Sequence, residues 1–396
     1  MSEVAQVPQL RFPEFSGEWE EKILKDLTKI NQGLQIPIAD RFTEKVENSY
    51  FYITNEFLKE NSSNKYFIQN PSESVLCTEK DVLMTRTGNT GQVVTNVNGA
   101  FHNNFFKIKY SDDLNKDFLV EFLRLRATQN MIFRYAGTST IPDLNHGDFY
   151  RLKLKLPSKP EQQKIATFLI AVDNKIEQLS KKQALLGEYK KGLMQQIFSQ
   201  AIRFKADDDS EFPDWEERVL GDYLAHKSKK NKNNEVDLVL SVSNKKGFIT
   251  QDEQFDGYQV ASKDLTNYKI VEKGEYAYNP SRINVGSIAR LKNNTIGIVS
   301  PMYVVFKLKN LDSIFFDNLY QTHLFKHLIK VGCSGSVRDS LNFNDMADFV
   351  FSFPSLEEQA KIANFLSSID NKIEQVGKQL DESKQFKKAL LQQMFV

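Results

Sequence analysis

Residues 157–198 can be laid over residues 354–395 without a gap. The first stretch reads PSKPEQQKIATFLIAVDNKIEQLSKKQALLGEYKKGLMQQIF, the second PSLEEQAKIANFLSSIDNKIEQVGKQLDESKQFKKALLQQMF. The offset is a constant 197 residues and about half the positions are identical, including all of DNKIEQ at Asp173–Gln178 and Asp370–Gln375. A shared heptad bias would match apolar positions, but not Asn174 with Asn371. The repeat continues more weakly outside this stretch. Trp19-Glu20-Glu21 matches Trp215-Glu216-Glu217, Asp26 matches Asp222, and Ser139, Leu144-Asn145 and Asp148 match Ser336, Leu341-Asn342 and Asp345. The chain is therefore two tandem copies of one unit, with a period far too long for a solenoid. The division it predicts is a first domain at 1–156, a long helix at 157–200, a second domain at 201–353 and a second long helix at 354–396.

Within the repeated stretch, apolar residues recur every three or four positions: Ile165, Phe168/Leu169, Val172, Ile176, Leu179, Leu186, Tyr189, Leu193 and Ile197. Their counterparts run from Ile362 through Ile373, Val376, Leu380, Phe386 and Leu390 to Met394. That is one apolar stripe of a coiled-coil helix. Pro157 and Pro354 stand just before it, and Ser158 with Glu161, like Ser355 with Glu358, fits a capping box. Each helix should run about 38 residues, or roughly 57 Å. A single helix of this kind needs a partner, and the other copy supplies one. An antiparallel pair would place the two domains at opposite ends of a spacer. Lys181, Lys190, Lys191, Lys378, Lys387 and Lys388 are expected on the solvated faces.

The intervening segments, about residues 18–155 and 215–352, have diverged strongly. Both read as mixed α/β, with strands expected in Val82–Val97, Phe105–Tyr110, Gly286–Leu291 and Met302–Leu308, and helices in Asp117–Arg126 and Ile314–Val331. The fold class is thus α+β: two homologous mixed α/β domains, each followed by a long helix, the helices packed as an antiparallel coiled coil. Contact residues stay alike in the helices while the domains present different surfaces. Two readers of different specificity on one frame would look like this. A target with two unlike halves at fixed separation suits it, and duplex DNA is one such target.

Chemistry is hard to find. Lys+Arg 52 against Asp+Glu 51 leaves a formal charge of +1, so any nucleic-acid surface must be local. Cys77 and Cys333 are too few for a disulfide framework or a four-cysteine zinc site, and are expected reduced and packed, as suits the cytoplasm. No run of about 18 apolar residues suggests a membrane span, and MSEVAQVPQLRFPEF lacks the pattern of a secretory leader. No phosphate-binding GxxxxGK[ST] occurs, and no GxGxxG; Gly88–Gly91 and Gly332–Gly335 read as turn glycines. NPSE at Asn70 and NPSR at Asn279 do not match the (N/D)PP(Y/F) motif of an amino-methyltransferase. Pro142-Asp143 and Pro213-Asp214 have no convincing (D/E)xK behind them. His323 and His327 share a helix spacing, but HLFKH lacks the glutamate of HExxH. A binding subunit is expected, with no catalytic, cofactor or metal residues of its own. A two-domain protein-binding adaptor on a helical scaffold stays open as an alternative, as does an enzyme of unrecognised chemistry.

The motifs resemble a known family. Pro157-Ser158, Glu161-Gln162-Gln163-Lys164-Ile165-Ala166 and Asp173-Asn174-Lys175-Ile176 recur as Pro354-Ser355, Glu358-Gln359, Lys361-Ile362-Ala363 and Asp370-Asn371-Lys372-Ile373. This doubled box is similar to that of the specificity subunits of type I restriction-modification systems, and the tandem layout covers essentially the whole chain. The resemblance implies two target recognition domains, each reading one half of a bipartite, asymmetric duplex DNA site. It implies that the helices set the spacing and dock two modification subunits, which bind S-adenosylmethionine and methylate adenine. Restriction subunits, using ATP and Mg, would translocate and cut DNA.

Base reading requires donors and acceptors on loops at a groove, and phosphate contact requires cations. In the first domain the candidates are Thr85, Arg86, Thr87, Asn89 and Thr90, then Thr138, Ser139 and Thr140. In the second they are Ser281, Arg282 and Asn284, the counterparts by position, then Ser336 and Arg338. The run His226–Asn234, with Lys227, Lys229 and Lys230, is expected to be a flexible basic segment that lies on phosphates. Arg86→Ala is expected to weaken binding of one half-site only, and Arg282→Ala the other. Sequence-selective methylation by the reconstituted complex that neither change affects would refute that assignment.

Overall fold

The computed structural model describes residues 7–59, 65–137, 140–244, 246–250, 264–333 and 340–396. Its contacts divide the chain into two units, Met1–Ser180 with Lys378–Val396, and Lys181–Gly377.

The first unit contains β1 (Glu20–Ile23), α1 (Leu24–Leu27), β2 (Thr28–Gln32), β3 (Ser49–Ile53), β4 (Phe67–Gln69), β5 (Leu76–Cys77), β6 (Val82–Thr85), β7 (Val93–Val94), β8 (Gly99–Phe101) and β9 (Phe105–Tyr110). Then follow α2 (Lys116–Arg124), α3 (Arg126–Ala136), α4 (His146–Tyr150), β10 (Lys153–Leu156) and the start of α5 (Lys159–Phe198). A four-stranded sheet has the order β2-β9-β6-β7, and a second has β4-β3-β8-β5, in which β3 and β8 are parallel. β1 pairs with β10. Strand β9, FFKIKY, has its first four residues buried, as a central strand covered on both faces requires. Asn115 caps α2 by accepting from the amides of Asp117 and Phe118.

The second unit repeats this plan. It contains β11 (Glu216–Val219), β12 (Leu224–Lys227), β13 (Leu240–Ser243), β14 (Gly247–Thr250), β15 (Lys269–Glu272), β16 (Tyr276–Tyr278), β17 (Ile288–Arg290), β18 (Ile296–Val299) and β19 (Val304–Leu308). After these come α6 (Ser313–Leu319), α7 (His323–Cys333), α8 (Phe343–Ala347), β20 (Val350–Phe353) and α9 (Leu356–Met394). The main sheet, β12-β19-β16-β17, matches β2-β9-β6-β7 strand for strand, and β11 pairs with β20 as β1 does with β10. The pairs β13–β14 and β15–β18 correspond to β3–β4 and β5–β8, and a parallel bridge from Val239 to Ile298 stands where β3 meets β8. Asp312 caps α6 as Asn115 caps α2. The helix expected over Ile314–Val331 is two helices, because the Thr322 hydroxyl accepts from the Phe325 amide and starts a new one. Gly332 lies inside α7 rather than in a turn; a Cβ there would meet Leu341 Cδ1 at 2.7 Å. Gly335 falls outside the described residues.

Helices α5 and α9, of 40 and 39 residues, are each shared by both units. In the first unit the start of α5 packs with the end of α9: Ile165, Ala166 and Leu169 join Leu390 and Met394 in a core with Trp19 and Phe118. In the second, Met194 and Ile197 join Ile362, Ala363 and Leu366. The pairing is antiparallel. In the second unit Lys190 meets Asp370 at 2.8 Å, while seven residues earlier Gln183 abuts Gly377, seven residues later. The first unit repeats the ion pair as Lys387 with Asp173, at 2.7 Å. Lys190 and Lys387 are therefore not simply solvated, whereas Tyr189 and Phe386, expected in the stripe, are exposed at 57% and 53%. A partly buried ion pair, with the lysine stems packed alongside, takes that place in the seam.

The Glu-Gln pair that opens each helix joins it to its domain. Glu161 and Glu358 are buried. Arg11 reaches Glu161 through two donors at 2.7 and 2.8 Å, and Trp19 Nε1 donates to it at 3.3 Å. Arg203 reaches Glu358 at 2.9 Å through each of two donors, and Trp215 Nε1 donates at 3.0 Å. Neither expected capping box is closed, and half of one is made in the second copy. Ser355 Oγ accepts from the Glu358 amide, but the glutamate side chain turns to arginine and tryptophan, which satisfy it in the core. Gln162 and Gln359 accept from the Asn115 and Asp312 amides, fixing the caps of α2 and α6. Breaking a buried charge pair costs about 3–5 kcal/mol, so Glu161→Ala and Glu358→Ala should each destabilise by about that amount. Urea unfolding of the purified variants, with Glu20→Ala as an exposed control, checks this.

Candidate nucleic-acid interface

In the first unit the turn after β6 is held from inside. Thr85 is buried; its hydroxyl bonds within the loop, to the Asn89 carbonyl and from the Gln92 amide. The Thr90 hydroxyl is also spent, on the carbonyls of Arg86 (3.1 Å) and Pro142 (2.7 Å). These two threonines shape the turn rather than face outward. Thr87 bridges to Asp143, and Asn55 Nδ2 donates to its carbonyl at 2.9 Å. Gly88 needs its glycine: φ is +90° and a Cβ would lie 2.0 Å from Asn55 Nδ2. Asn89 and Gln92 are exposed. The Arg86 guanidinium sits 5.9 Å from the Phe106 ring centre and donates to Asp143 at 2.5 Å. It thereby ties the turn to the segment before α4, and Asp143 neutralises it.

The second unit builds its turn differently. Asn279 and Thr85 are equivalent: each amide bonds across the turn, to the Ser287 and Gln92 carbonyls. The next residue's carbonyl accepts from Leu341 in one unit and Leu144 in the other. The counterpart of Arg86 is therefore Pro280, not Arg282, because the second turn is one residue longer. Arg282 and Asn284 are exposed, and Arg282 meets no carboxylate among the described residues. The Ser281 amide donates to Asn279 Oδ1 at 3.1 Å. Thr140 is exposed. Thr138, Ser139, Ser336 and Arg338 lie outside the described residues.

The basic run at 226–234 is not a loose segment. His226 and Lys227 belong to β12, Lys230 bridges to Lys269, and Asn231 is buried with its side chain on Val236. Lys227 lies 3.6 Å from Glu275, Lys229 lies 3.4 Å from Glu272, and Lys230 donates to Asn267 at 3.1 Å. Two of the three lysines are thus partly balanced. Burial, and then the charge of Lys230, hold the Lys269 ammonium below its ordinary value; burial does the same to His226, whose ring stacks on Phe343.

Each unit also has a cleft between this turn and the corner of its two middle helices. In the first it measures about 740 Å³ and is lined by Asn89, Gln92, Arg124 and Phe133 among others. In the second it measures about 500 Å³, with Asn284, Gln321 and Lys326 in its lining. The helix residues were missed in the sequence. The constant offset, carried back from Ser158/Ser355 to Asn115/Asp312, aligns Arg124 with Gln321 and Gln129 with Lys326, so the signal was present.

Residues 16–186 and 213–383 each match the family model for the type I restriction modification DNA specificity domain. The chain belongs to this family. It is similar along its length to the MjaVIII specificity subunit of Methanocaldococcus jannaschii, at 23% identity, covering 96% of this chain and 92% of that protein. The putative MjaX specificity subunit of the same organism is 25% identical over 66% of this chain and 63% of its own length. The type I S subunit from M. genitalium shares the fold, with a TM-score of 0.63 at 16% identity over 98% of this chain and 99% of that one. This specificity subunit carries two recognition domains, binds DNA and works within a type I complex whose catalytic activity lies on partner subunits. Among the described residues no helix is long and apolar enough to cross a membrane, and no cluster of three or more His, Cys, Asp or Glu could hold a metal ion.

The Arg86–Asp143 contact gives Arg86 a positioning role that can be measured. Asp143→Ala should reproduce most of the effect of Arg86→Ala on DNA binding, and the double variant should lose little more than either alone. Fully additive losses in a binding titration would show that Arg86 acts on DNA independently.

Proposed function

We propose that this specificity subunit reads a bipartite, asymmetric duplex site, one domain per half. It holds two modification subunits, which bind S-adenosylmethionine and methylate adenine in each half-site. Restriction and translocase subunits add ATP- and Mg-dependent DNA movement and cleavage, all in the cytoplasm. The observation that carries the reading is the contrast between frame and turns. Both units share strand order, the Glu–Arg–Trp contacts and the Lys–Asp pairs, yet differ in the residues at the turn after β6 and β16. A constant frame with unlike reading turns is what two unlike half-sites require.

The residues that touch DNA are proposed as Arg282, Asn284 and Ser281 in the second domain, and Asn89, Thr87 and Thr140 in the first. Arg86, Thr85 and Thr90 set the shape of the first turn. Lys227, Lys229 and Lys230 lie along phosphates, exchanging glutamate or amide partners for them. Thr138, Ser139, Ser336 and Arg338, outside the described residues, keep a place in the proposal on the sequence alone, as donors in the matching stretches before Leu144 and Leu341.

Methylation mapping of DNA from cells with and without this chain should show adenine methylation at one two-part motif that depends on it. The complex should bind that duplex with log affinity falling linearly against log salt. Methylation independent of the chain, or binding indifferent to salt, would defeat the reading.

A further inference from the structure

The duplicated clefts occupy the same place in the two units. Each lies between the turn joining the paired strands, β6–β7 or β16–β17, and the corner joining the middle helices, α2–α3 or α6–α7. The position is shared, but the chemistry of the walls is not. Arg124 in the first unit is Gln321 in the second, Gln129 is Lys326, and Phe133 is Lys330. Gln129 braces the first cleft, donating to the carbonyls of Gly91 at 2.8 Å and Leu123 at 2.6 Å. Its counterpart Lys326 is exposed and meets no carboxylate among the described residues. Arg124 is 42% exposed and held only loosely, 3.7 Å from Glu121. Across from these cations the turns present exposed amides, Gln92 in one and Asn284 in the other.

A cofactor or effector common to both domains would demand the same wall twice. Walls rebuilt at the same position of an otherwise duplicated frame fit a ligand that differs between the halves. A cation facing an amide is also the pair that nucleic acid needs, the cation for a phosphate and the amide for a base edge.

We infer that the rim of each cleft lies against one half-site, with Arg124 and Lys326 on phosphates and Gln92 and Asn284 reading bases. The inference rests on the DNA-reading function proposed above, adds Arg124, Gln92 and Lys326 to it, and gives Asn284 a base-reading role. Arg124 and Lys326 set affinity; Gln92 and Asn284 set which base is accepted.

The test uses the complex of this chain with its modification subunit and a pool of duplexes built around the mapped motif. Arg124→Gln should weaken binding of the cognate duplex roughly tenfold and lower the salt slope by about one. The loss should vanish on duplexes whose first-domain half is scrambled. Lys326→Gln should behave the same way for the other half. Arg124→Lys, which keeps the charge, should keep the salt slope. Gln92→Ala and Asn284→Ala should each relax base preference at one position, in opposite halves. Unchanged affinity and preference in all variants would overturn the inference while selective binding by the unaltered complex left the parent reading standing. Losses on both halves from one substitution, or an Arg124→Lys complex no better than Arg124→Gln, would assign these residues to structure and overturn it too. An unaltered complex without sequence selectivity would end both.

Discussion

A buried carboxylate at the start of each long helix is the contact on which the rest depends. Glu161 and Glu358 would be intolerable in a core if left alone, because an ion loses its hydration there. Each is answered by an arginine fork and an indole N–H from the segment that precedes its domain. The answer is directional. The guanidinium must lie in the carboxylate plane, so the first strand, the tryptophan and the helix acquire one mutual orientation. The neighbouring glutamines extend the same control to the caps of α2 and α6. Apolar packing would give adhesion here without that register.

The helices carry the second constraint. Each unit is completed by the end of the helix that belongs to the other copy in sequence. Lys387 on Asp173 and Lys190 on Asp370 mark the same step of the same antiparallel seam, once in each unit. The exposed Leu185, Tyr189 and Phe386 lie outside this seam, in the stretch where the two copies of the helix have drifted apart. Identity between copies covers the seam pairs and the Glu-Gln openings, and also the exposed Asn174-Lys175 and Asn371-Lys372 on the outer faces.

On such a frame, the turns after β6 and β16 are free to differ. Arg86 is spent on Asp143, while the second unit puts proline at that place and moves its arginine two residues along. Both turns keep the cross-turn amide bond at Thr85 and Asn279, so the strands around them are undisturbed. This separation of a shared scaffold from unlike turns is what the proposed reading of two unlike half-sites asks of one chain.

Much was legible in the amino-acid order. Duplication, the two long helices and the strand at Phe105–Tyr110 follow from local periodicity or from identity at a constant offset, and the family from the doubled motif's resemblance to it. Such signals survive because a helix or strand turns its side chains with a fixed local period, whatever it packs against. The role of Glu161 was misread for the opposite reason: its spacing from Ser158 imitates a capping box, while its real partners stand about 150 residues away in sequence. Arg86 and Arg282 stand at similar places in turns of unequal length, and only the hydrogen bonds from the Leu144 and Leu341 amides show that Pro280 is the counterpart of Arg86. The chain by itself therefore determined the number of units, their common plan and the helical frame, since these are written in repeated patterns. Which charges are neutralised, which threonines are buried and which cations face a cleft was decided by tertiary structure alone, because electrostatic partners and solvent access depend on distances that no spacing in the sequence encodes.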